Sequence, residues 1–542
     1  MNAHSLKRPR PFEMDSFGSA VDTSTLEDLH FHRRRPFLVP DHRNHILSRS
    51  LHLPRIRTVE ALLERGFPYS RKLDAHTACV NALAFSSLEG QFLVSGGDDL
   101  DIHFWDLHRE SVTPPSFTFR GPRANIFVLK FSANNRFIFS GGADDIVLKF
   151  DASSAEKLPE STYRQHEDSI RGIAPHPVQD EVFITGAEDG RLIRHDGRSP
   201  SSARIRAQDT IQLTSEVTGV EFHPVMEHIF ATSDQSGQVC LRDTRMAFGP
   251  LGQRTQEGIV QIYNTKLSRP AIQHLSNPEV SSLVFNRQGT QLSVTMLNYF
   301  PTIYNVNDSD PVAVCSAGNL PDGTPIPPGE RTYANACTMK HGGFGGPGLD
   351  RDTLYLAGSD DFRAYVWALP PPEALAARRK VLSYAEWRAG EHIGVTAFAE
   401  HVNGPRCIPV QLDTPRARLA GHHSIVNSVV VHPQMLLAAT SGVESRVMLH
   451  GAVDSLCGGM KRTPAKVRGL GEPWELDLFE EDDGEDEEDE EASVEEFMER
   501  ALSIRAQRRT IRMFDGERRS HGHLCRTTVV SLGWTRWPRA GR

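Results

Sequence analysis

The sequence contains few cysteines, and their positions fit neither a disulfide framework nor a zinc site. Only seven occur in 542 residues, they are widely scattered, and no two form a C-x-x-C pair. An odd number of isolated cysteines is typical of reduced thiols in an intracellular protein. We therefore expect neither structural disulfides nor a cysteine-bound metal at Cys79, Cys240, Cys315, Cys337, Cys407, Cys457 and Cys525.

Long apolar stretches are also missing. Nowhere do about eighteen apolar residues run together, the length that a membrane-spanning helix needs. Residues 1–18 contain charges and prolines but no apolar core of a secretory signal peptide. These two absences predict a soluble protein that is neither membrane-embedded nor secreted.

A general excess of basic residues is absent as well. The formal net charge is −9, and residues 480–491 form an acidic block interrupted only by Gly484. Without this block the chain is close to neutral. A nucleic-acid-binding surface needs clustered lysine and arginine, so we expect no direct binding of nucleic acid.

A short sequence motif recurs along the middle of the chain. Its copies end at Asp106, Asp151 and Asp196, and each copy contains a Ser-Gly-Gly-like turn followed by a short segment typical of a β-strand. The copies are spaced close to the roughly 40–45 residues of a four-stranded WD-repeat blade. Longer spacings later in the chain indicate loop insertions. The repeats predict an all-β, seven-bladed WD-repeat β-propeller with anchors at Trp105, Phe150, His195, Arg242, Tyr304, Trp367 and His450.

The repeats also agree in register. Ten positions before the anchor, a small hydroxyl recurs at Ser95, Ser140, Thr185, Thr232 and Thr440. Six positions before it, an aspartate recurs at Asp99, Asp144, Asp189 and Asp361. Strand residues alternate between two faces, and tight hairpins favour Asp, Asn or Gly, so this pattern is expected of a repeated blade.

In the first blade, His76, Ser95, Asp99 and Trp105 resemble the buried hydrogen-bonded tetrad of WD repeats, and His166 opens the third blade similarly. Such side chains would satisfy one another and set the strand register. Ser, His and Asp also form hydrolase sites, but a catalytic set would not recur in several blades. No metal-ligand spacing or nucleophile elbow is present, so we predict no enzyme activity, no metal and no cofactor.

We predict four regions along the chain. Residues 1–40 are expected to be a disordered tail, residues 41–75 a helical lead-in with a ring-closing strand, and residues 76–452 the propeller. Residues 453–542 are expected to be an acidic, mostly disordered tail with a short helix near 493–514. The basic run Lys7-Arg8-Pro9-Arg10 either resembles a nuclear-import signal or is an ordinary basic patch.

Short apolar stretches predict the inner strands of the blades, and the ring-closing strand is expected at Tyr69 to Leu73. The later insertion predicts one helix from Glu373 to Arg388. Gly343 to Gly348 satisfies G-x-G-x-x-G, but we expect it between two strands with no following helix, so a nucleotide site is not favoured. The predicted inner strands are Val80 to Phe85, Ile126 to Phe131, Val217 to Phe222, Val280 to Phe285 and Ile425 to Val431.

Two successive blades end in Asp196-Gly197-Arg198 and Asp243-Thr244-Arg245. These resemble the W-D-x-R box of the substrate receptors of cullin-4 ubiquitin ligases, in which the arginine faces the ligase's adaptor protein. His195 and Arg242 stand in place of the tryptophan, so only the Asp-x-Arg part matches. The resemblance implies that Asp196, Arg198, Asp243 and Arg245 bind the adaptor. In the other interpretation, both arginines are ordinary exposed salt-bridge residues.

Further segments resemble the adaptor-associated factor 5 branch of these receptors, also called WD repeat protein 22. They include Cys79 to Ala82, Ser359 to Phe362 and Gly421 to Asn427. The resemblance covers His76 to Ala452 and leaves both tails unmatched. It implies a protein that carries an unknown substrate protein to the ligase, and we expect the chain to be nuclear, cytoplasmic or both. The alternative is a general WD-repeat scaffold in a nuclear chromatin or RNA-processing complex, which would not bind the adaptor.

Overall fold

The computed structural model describes residues 52–463 except 110, 155–156, 199–205, 271, 273, 347–350 and 391–393. The chain divides into two compact units, residues 1–53 and 54–542, and almost all described residues belong to the second. The predicted tail 1–40, the basic run at Lys7, residues 464–542 of the predicted C-terminal tail and the helix near 493–514 lie outside the described residues, whereas residues 453–463 of that tail are described. Among the described residues, no helix is long and apolar enough to cross a membrane.

A helix and a strand precede the repeated part of the chain. Helix α1 (His52–Leu63) buries Val59 and Leu63, and Arg416 Nε donates to the Leu63 carbonyl at 3.0 Å at the end of the helix. Strand β1 (Tyr69–Asp74) follows. Because a helix leaves its last carbonyls without partners, the Arg416 contact stabilises the end of α1.

Four antiparallel sheets of four strands follow in chain order, and we number them sheets 1 to 4 from the N-terminal side. Sheet 1 contains β2 (Val80–Phe85), β3 (Phe92–Gly97), β4 (Asp101–Asp106) and β5 (Phe117–Arg120). Sheet 2 contains β6 (Ile126–Phe131), β7 (Phe137–Gly142), β8 (Val147–Asp151) and β9 (Ser161–Tyr163). Sheet 3 contains β10 (Ile170–Pro175), β11 (Val182–Ala187), β12 (Arg191–Asp196) and β13 (Thr210–Gln212). Sheet 4 contains β14 (Val217–Phe222), β15 (Ile229–Asp234), β16 (Val239–Asp243) and β17 (Ile259–Tyr263).

Three further sheets continue this order. Sheet 5 contains β19 (Val280–Phe285), β20 (Gln291–Met296), β21 (Thr302–Asn305), β22 (Pro311–Cys315) and β29 (Val410–Leu412). Sheet 6 contains β23 (Gly342–Gly345), β24 (Leu354–Gly358), β25 (Ala364–Ala368) and β30 (Ala417–Leu419). Sheet 7 contains β31 (Val426–Val431), β32 (Leu437–Gly442), β33 (Arg446–Gly451), β1 and β34 (Lys461–Arg462).

The insertions build a smaller sheet of their own. It contains β18 (Leu267–Ser268), β26 (Lys380–Leu382), β27 (Ala397–Phe398) and β28 (Arg406–Ile408). The remaining α-helices are α2 (Thr244–Ala247), α3 (Pro372–Arg378) and α4 (Tyr384–Ala389). Short 3-10 helices occur at Ala207–Asp209, Leu251–Gln253, Gln256–Gly258 and Leu456–Gly458.

The first strands of sheets 1 to 7 contact one another in series, and β31 of sheet 7 contacts β2 of sheet 1. Strand β1 pairs antiparallel with β33, from Tyr69 opposite Gly451 to Asp74 opposite Arg446. The N-terminal strand therefore completes the C-terminal sheet. The predicted all-β WD-repeat fold is confirmed, and the arrangement is compatible with seven blades.

Steric contacts explain the second glycine of the Ser-Gly-Gly motif in sheets 1 and 2. The second glycine ends the second strand of its sheet and lies against the residue that precedes the first strand. A Cβ atom on Gly97 would lie 1.9 Å from the carbonyl oxygen of Cys79, and one on Gly142 would lie equally close to that of Asn125. A side chain at Gly97 or Gly142 would therefore clash with the backbone in sheets 1 and 2, whereas Ala187 occupies the equivalent strand position in sheet 3.

Two details of the sequence prediction were wrong. The single helix expected from Glu373 to Arg388 is two helices, α3 and α4, separated by β26, which pairs with β28. Ser383 and Glu386 form a capping box that starts α4 anew. The Gly343 segment does not lie between two strands: Gly343 to Gly345 belong to β23 itself, where a Cβ on Gly345 would lie 2.5 Å from the Val431 side chain.

Candidate functional site

Sheet 1 contains a hydrogen-bonded chain of four side chains. His76 lies between two oxygens, with Nδ1 2.7 Å from Asp99 Oδ2 and Nε2 2.7 Å from Ser95 Oγ. Trp105 Nε1 donates to the same Ser95 Oγ at 2.9 Å. The structure thus brings all four predicted tetrad residues together. They connect the segment before the first strand with the second strand, the third strand and the turn between them.

Sheets 3 and 7 contain the same arrangement with histidine in place of tryptophan. In sheet 3, His166 contacts Asp189 at 3.0 Å and Thr185 at 2.7 Å, and His195 Nε2 lies 2.8 Å from Thr185 Oγ1. The sequence prediction missed the sheet 7 set, in which Thr440 lies ten positions and Glu444 six positions before the anchor His450. Its members are His422, Thr440, Glu444 and His450.

Burial controls the charge of these groups. It lowers the pKa of His195 to about 3, with a further contribution from His166, and it lowers the pKa of His450 to about 3 in the same way beside His422. Both rings are therefore neutral at physiological pH. Burial alone would raise the pKa of Asp99, but hydrogen bonding and charge from His76 outweigh it, so the pKa is lowered. The same holds for Asp189 beside His166.

His76, Asp99 and His103 also bring possible metal-ligand atoms within 4.8 Å of one another. Both ring nitrogens of His76 are already hydrogen-bonded within the tetrad. The nitrogens of His103 lie 2.9 Å from Thr118 Oγ1 and 3.2 Å from the Ala75 carbonyl oxygen. This cluster therefore fits a structural role, since a metal would have to displace the bonds that hold sheet 1 together.

The two Asp-x-Arg segments have the same geometry on neighbouring sheets. Asp196 ends β12 of sheet 3, and Asp243 ends β16 of sheet 4. In each, Oδ1 accepts the backbone N–H of the arginine two residues later, at 3.1 Å for Arg198 and 2.8 Å for Arg245. The guanidinium then folds back, and Nη2 donates to Oδ2 at 2.6 Å in both. Each arginine side chain is 67% exposed.

Hydrogen bonds from the arginines lower the pKa of both aspartates, which therefore stay ionised near neutral pH. Asp243 is buried and caps α2, whereas Asp196 is more exposed. The carboxylates thus hold the arginines in a fixed orientation.

The missing tryptophans are replaced by residues that keep the tetrad contact. His195 reaches the Thr185 hydroxyl, and Arg242 Nε donates to the Thr232 hydroxyl at 3.0 Å. Arg242 Nη1 also donates to the Glu257 carbonyl at 2.8 Å. The ends of β12 and β16 are therefore anchored without an indole ring.

Exposed apolar side chains flank the two Asp-x-Arg segments. Val178, Val225 and Met226 are 62%, 67% and 43% exposed. They lie in the turns that follow β10 and β14, and because first and third strands run in the same direction, these turns meet Asp196 and Asp243 at one end of the sheets. We call Val178, Asp196, Arg198, Val225, Met226, Asp243 and Arg245 the Asp-x-Arg face.

The apolar turns were missed in the sequence, although a repeated signal marks them. His176-Pro177-Val178 and His223-Pro224-Val225 follow the first strands of sheets 3 and 4. In each turn the histidine Nδ1 accepts two backbone N–H groups, those of Val178 and Gln179 at 3.1 Å in sheet 3. These bonds hold the following valine at the tip of the turn.

Hydrogen bonds join the corresponding turns of several neighbouring sheets. Examples are Ser87 with Asn135, at 2.7 Å between sheets 1 and 2, and His223 with Gly289, at 2.8 Å between sheets 4 and 5. Between the turns of sheets 3 and 4, no such bond exists among the described residues. A cavity of about 420 Å³ lies there instead, and its lining includes His176, Asp196, Arg198, His228 and Thr244.

Comparison with known proteins supports the repeat. The WD domain, G-beta repeat family matches residues 67–106 and 113–151. DDB1- and CUL4-associated factor 5 from Homo sapiens is 33% identical over 384 residues, which is 70% of this chain and 33% of that protein. The chain thus spans about a third of the length of that relative.

Two other relatives share a shorter region. Protein ALTERED SEED GERMINATION 2 from Arabidopsis thaliana is 33% identical over 150 residues, 26% of this chain and 19% of that protein. WD and tetratricopeptide repeats protein 1 from Homo sapiens is 32% identical over 133 residues, 24% of this chain and 19% of that protein.

Proposed function

Because this chain is a WD-repeat protein that resembles DDB1- and CUL4-associated factor 5 over 70% of its length, we propose that it is a non-catalytic substrate receptor of a cullin-4 ubiquitin ligase. The Asp-x-Arg face binds the adaptor protein of the ligase, and another surface binds a substrate protein. Other subunits perform the ubiquitin transfer. The protein acts inside the cell, in the nucleus, the cytoplasm or both.

The observation that carries this proposal is the matched presentation of Arg198 and Arg245. Each guanidinium uses Nε and Nη2 to bind its own aspartate, and each arginine side chain is 67% exposed, which leaves N–H donors for a partner. An arginine that is already oriented loses less side-chain entropy when a partner binds. Oriented arginines that donate several hydrogen bonds are favoured at the centres of protein interfaces.

The neighbouring apolar side chains support the same interpretation. An interface centre combines apolar and aromatic contacts with arginine and has few lysine or glutamate residues. Val178, Val225 and Met226 provide exposed apolar area at the end of sheets 3 and 4 that also carries Arg198 and Arg245. The Asp-x-Arg face therefore has the composition of a docking surface for a protein.

The competing function is a general WD-repeat scaffold in a nuclear complex. It would retain the propeller and the tetrads but would not need the two matched arginines. Adaptor binding distinguishes the two functions, since a scaffold of this kind would not associate with cullin-4.

The test is purification of the full-length chain from its own cells, followed by mass spectrometry for cullin-4 and its adaptor. The double variant Arg198→Ala/Arg245→Ala is purified in parallel. The proposal expects both ligase subunits with the wild-type chain and a strong loss with the variant. Absence of the ligase from the wild-type sample favours the scaffold. Undiminished ligase with the variant indicates a different docking surface.

A further inference from the structure

The fourth strands of sheets 1 to 7, counted outward from the first strand of each sheet, differ in length. Four of them contain three or four residues: β5, β9, β13 and β30. Three are longer: β1 with six residues, and β17 and β22 with five each. A long outer strand presents a row of unpaired backbone groups to other chains, and natural proteins shorten or cover such edges.

Two of the three long outer strands are covered by a fifth strand from this chain. Strand β29 pairs in parallel with β22, from Ala313 opposite Val410 to Cys315 opposite Leu412. Strand β34 pairs antiparallel with β1, with Tyr69 opposite Arg462 and Ser70 opposite Lys461. Every residue of β22 is buried, and α3 also contacts this strand.

Strand β17 of sheet 4 is the exception. It pairs with β16, and among the described residues no further strand lies on its other side. Its alternate residues Val260 and Ile262 are 55% and 48% exposed, whereas Tyr263 is buried. An edge of this length with two neighbouring β-branched side chains on one face is suited to pair with an extended segment.

We propose that residues 527–532 of this same chain pair with β17 as the fifth strand of sheet 4. This segment, outside the described residues, reads Thr-Thr-Val-Val-Ser-Leu and is bounded by Arg526 and Gly533. β-branched residues favour strands, and the period of two places Thr528, Val530 and Leu532 on one face. That face would cover Val260 and Ile262.

The chain itself is the favoured source of this strand for two reasons. Both other fifth strands come from the chain, and β34 is its last described strand, so the remaining residues leave from sheet 7. The 63 residues from 464 to 526 reach about 200 Å when extended at roughly 3.3 Å each. Tethering also raises the effective concentration of a weakly binding segment to about the millimolar range, although a long tether lowers it.

The apolar residues near the N-terminus are less suited than residues 527–532 to pair with β17. Phe37, Leu38 and Val39 are apolar, but Pro36 and Pro40 enclose them. Proline has no N–H to donate to a strand ladder, so only three residues remain for pairing.

The pairing of residues 527–532 with β17 does not depend on binding of the chain to the ligase.

Hydrogen–deuterium exchange tests the proposal on the full-length chain and on a chain that ends at residue 520. We expect the amides of β17 to exchange at least about tenfold faster in the shortened chain. Strand β22, which β29 covers, is the internal control and should be unchanged. A synthetic peptide of residues 524–534, added to the shortened chain, should restore the slow exchange.

Point variants of the full-length chain distinguish loss of the contact between residues 527–532 and β17 from unfolding of sheet 4. Val530→Asp/Leu532→Asp should reproduce the fast exchange of β17, whereas the nearby control Thr535→Asp should not. Equal exchange of β17 in the full-length and shortened chains overturns the proposal. Slow exchange that depends on protein concentration, together with a dimer in light scattering, also overturns it, because a second copy would then supply the strand.

Discussion

The guanidinium of Arg198 and the guanidinium of Arg245 are held by the same contact on neighbouring sheets. In both, Nη2 lies 2.6 Å from Oδ2 of the aspartate two residues earlier, and the side chain is 67% exposed. Each aspartate also accepts the backbone N–H of its arginine. The arginines are therefore oriented before any partner binds, which makes their contribution to binding separable from folding.

Replacing either arginine with alanine should weaken adaptor binding by about 1–3 kcal/mol if the arginine is buried in the interface. The melting temperature should not change, because both side chains point away from the core. Isothermal titration calorimetry with purified adaptor measures the loss directly. Arg120→Ala is the matched control, since Arg120 is exposed and pairs with Asp101 at 3.3 Å at the end of β5. Equal weakening by this control would contradict a specific role for Arg198 and Arg245.

Val178→Asp and Val225→Asp should also weaken adaptor binding. Each substitution places a charge in the apolar part of the proposed interface, where it loses solvation on binding. Both valines are well exposed, so the free energy of unfolding should change by less than about 0.5 kcal/mol. Val381→Asp is the control, because Val381 is equally exposed but lies in the inserted sheet. If the arginine variants lose binding and the valine variants do not, the interface excludes the turns after β10 and β14.

Asp99→Ala should destabilise sheet 1 by about 1–3 kcal/mol, because His76 and the Thr77 amide lose a buried acceptor. The sign of the pH effect follows from the lowered pKa of Asp99. The stability that the carboxylate contributes is present above its unfolded pKa and is lost as the pH falls through the lower folded pKa. Denaturant unfolding of wild type and variant should therefore differ at pH 7 and converge in acid. An unchanged melting temperature at pH 7 would count against the tetrad as a stabilising unit.

The repeated sheets could be predicted from the sequence because the strands that pair in them are close together in the chain. Strand pairs such as β3 and β4 are joined by short turns, so register and turn residues mark them directly in the sequence. The inserted sheet could not be predicted in this way, because β18 pairs with β27, which follows more than a hundred residues later, through only two residue pairs. Strand β29 joins sheet 5 in parallel from a similar distance. Nothing local in the sequence specifies such pairings.

The candidate site was predicted unevenly. The Asp-x-Arg segments stood out because two blades end in the same short phrase. Val178 and Val225 did not, because single exposed valines are common on protein surfaces and only the fold places them beside Arg198 and Arg245. His422 was missed because its partner is Glu444, whereas the repeat pattern was defined by aspartate.

In sheet 3 a histidine, His195, occupies the position that Trp105 has in sheet 1. Burial lowers the pKa of His195 to about 3, whereas histidine in an unfolded chain has a pKa of about 6.5. Between these values the unfolded chain binds a proton that the folded chain does not, so stability falls as the pH falls, by up to about 1.4 kcal/mol per pH unit.

His195→Trp should therefore flatten the pH dependence of the free energy of unfolding between about pH 6.5 and 4.5. An indole N–H can donate to Thr185 as Trp105 donates to Ser95, and the adjoining cavity leaves room for the larger ring. Other histidines contribute to the slope, among them His341 and His432, whose pKa values desolvation lowers to about 4. The measurement is thus the difference between variant and wild type in denaturant unfolding at several pH values. His108→Gln replaces an exposed histidine and should leave the slope unchanged. If His195→Trp retains the wild-type slope, His195 is not held neutral in the folded chain, and the tetrad of sheet 3 does not exclude its proton.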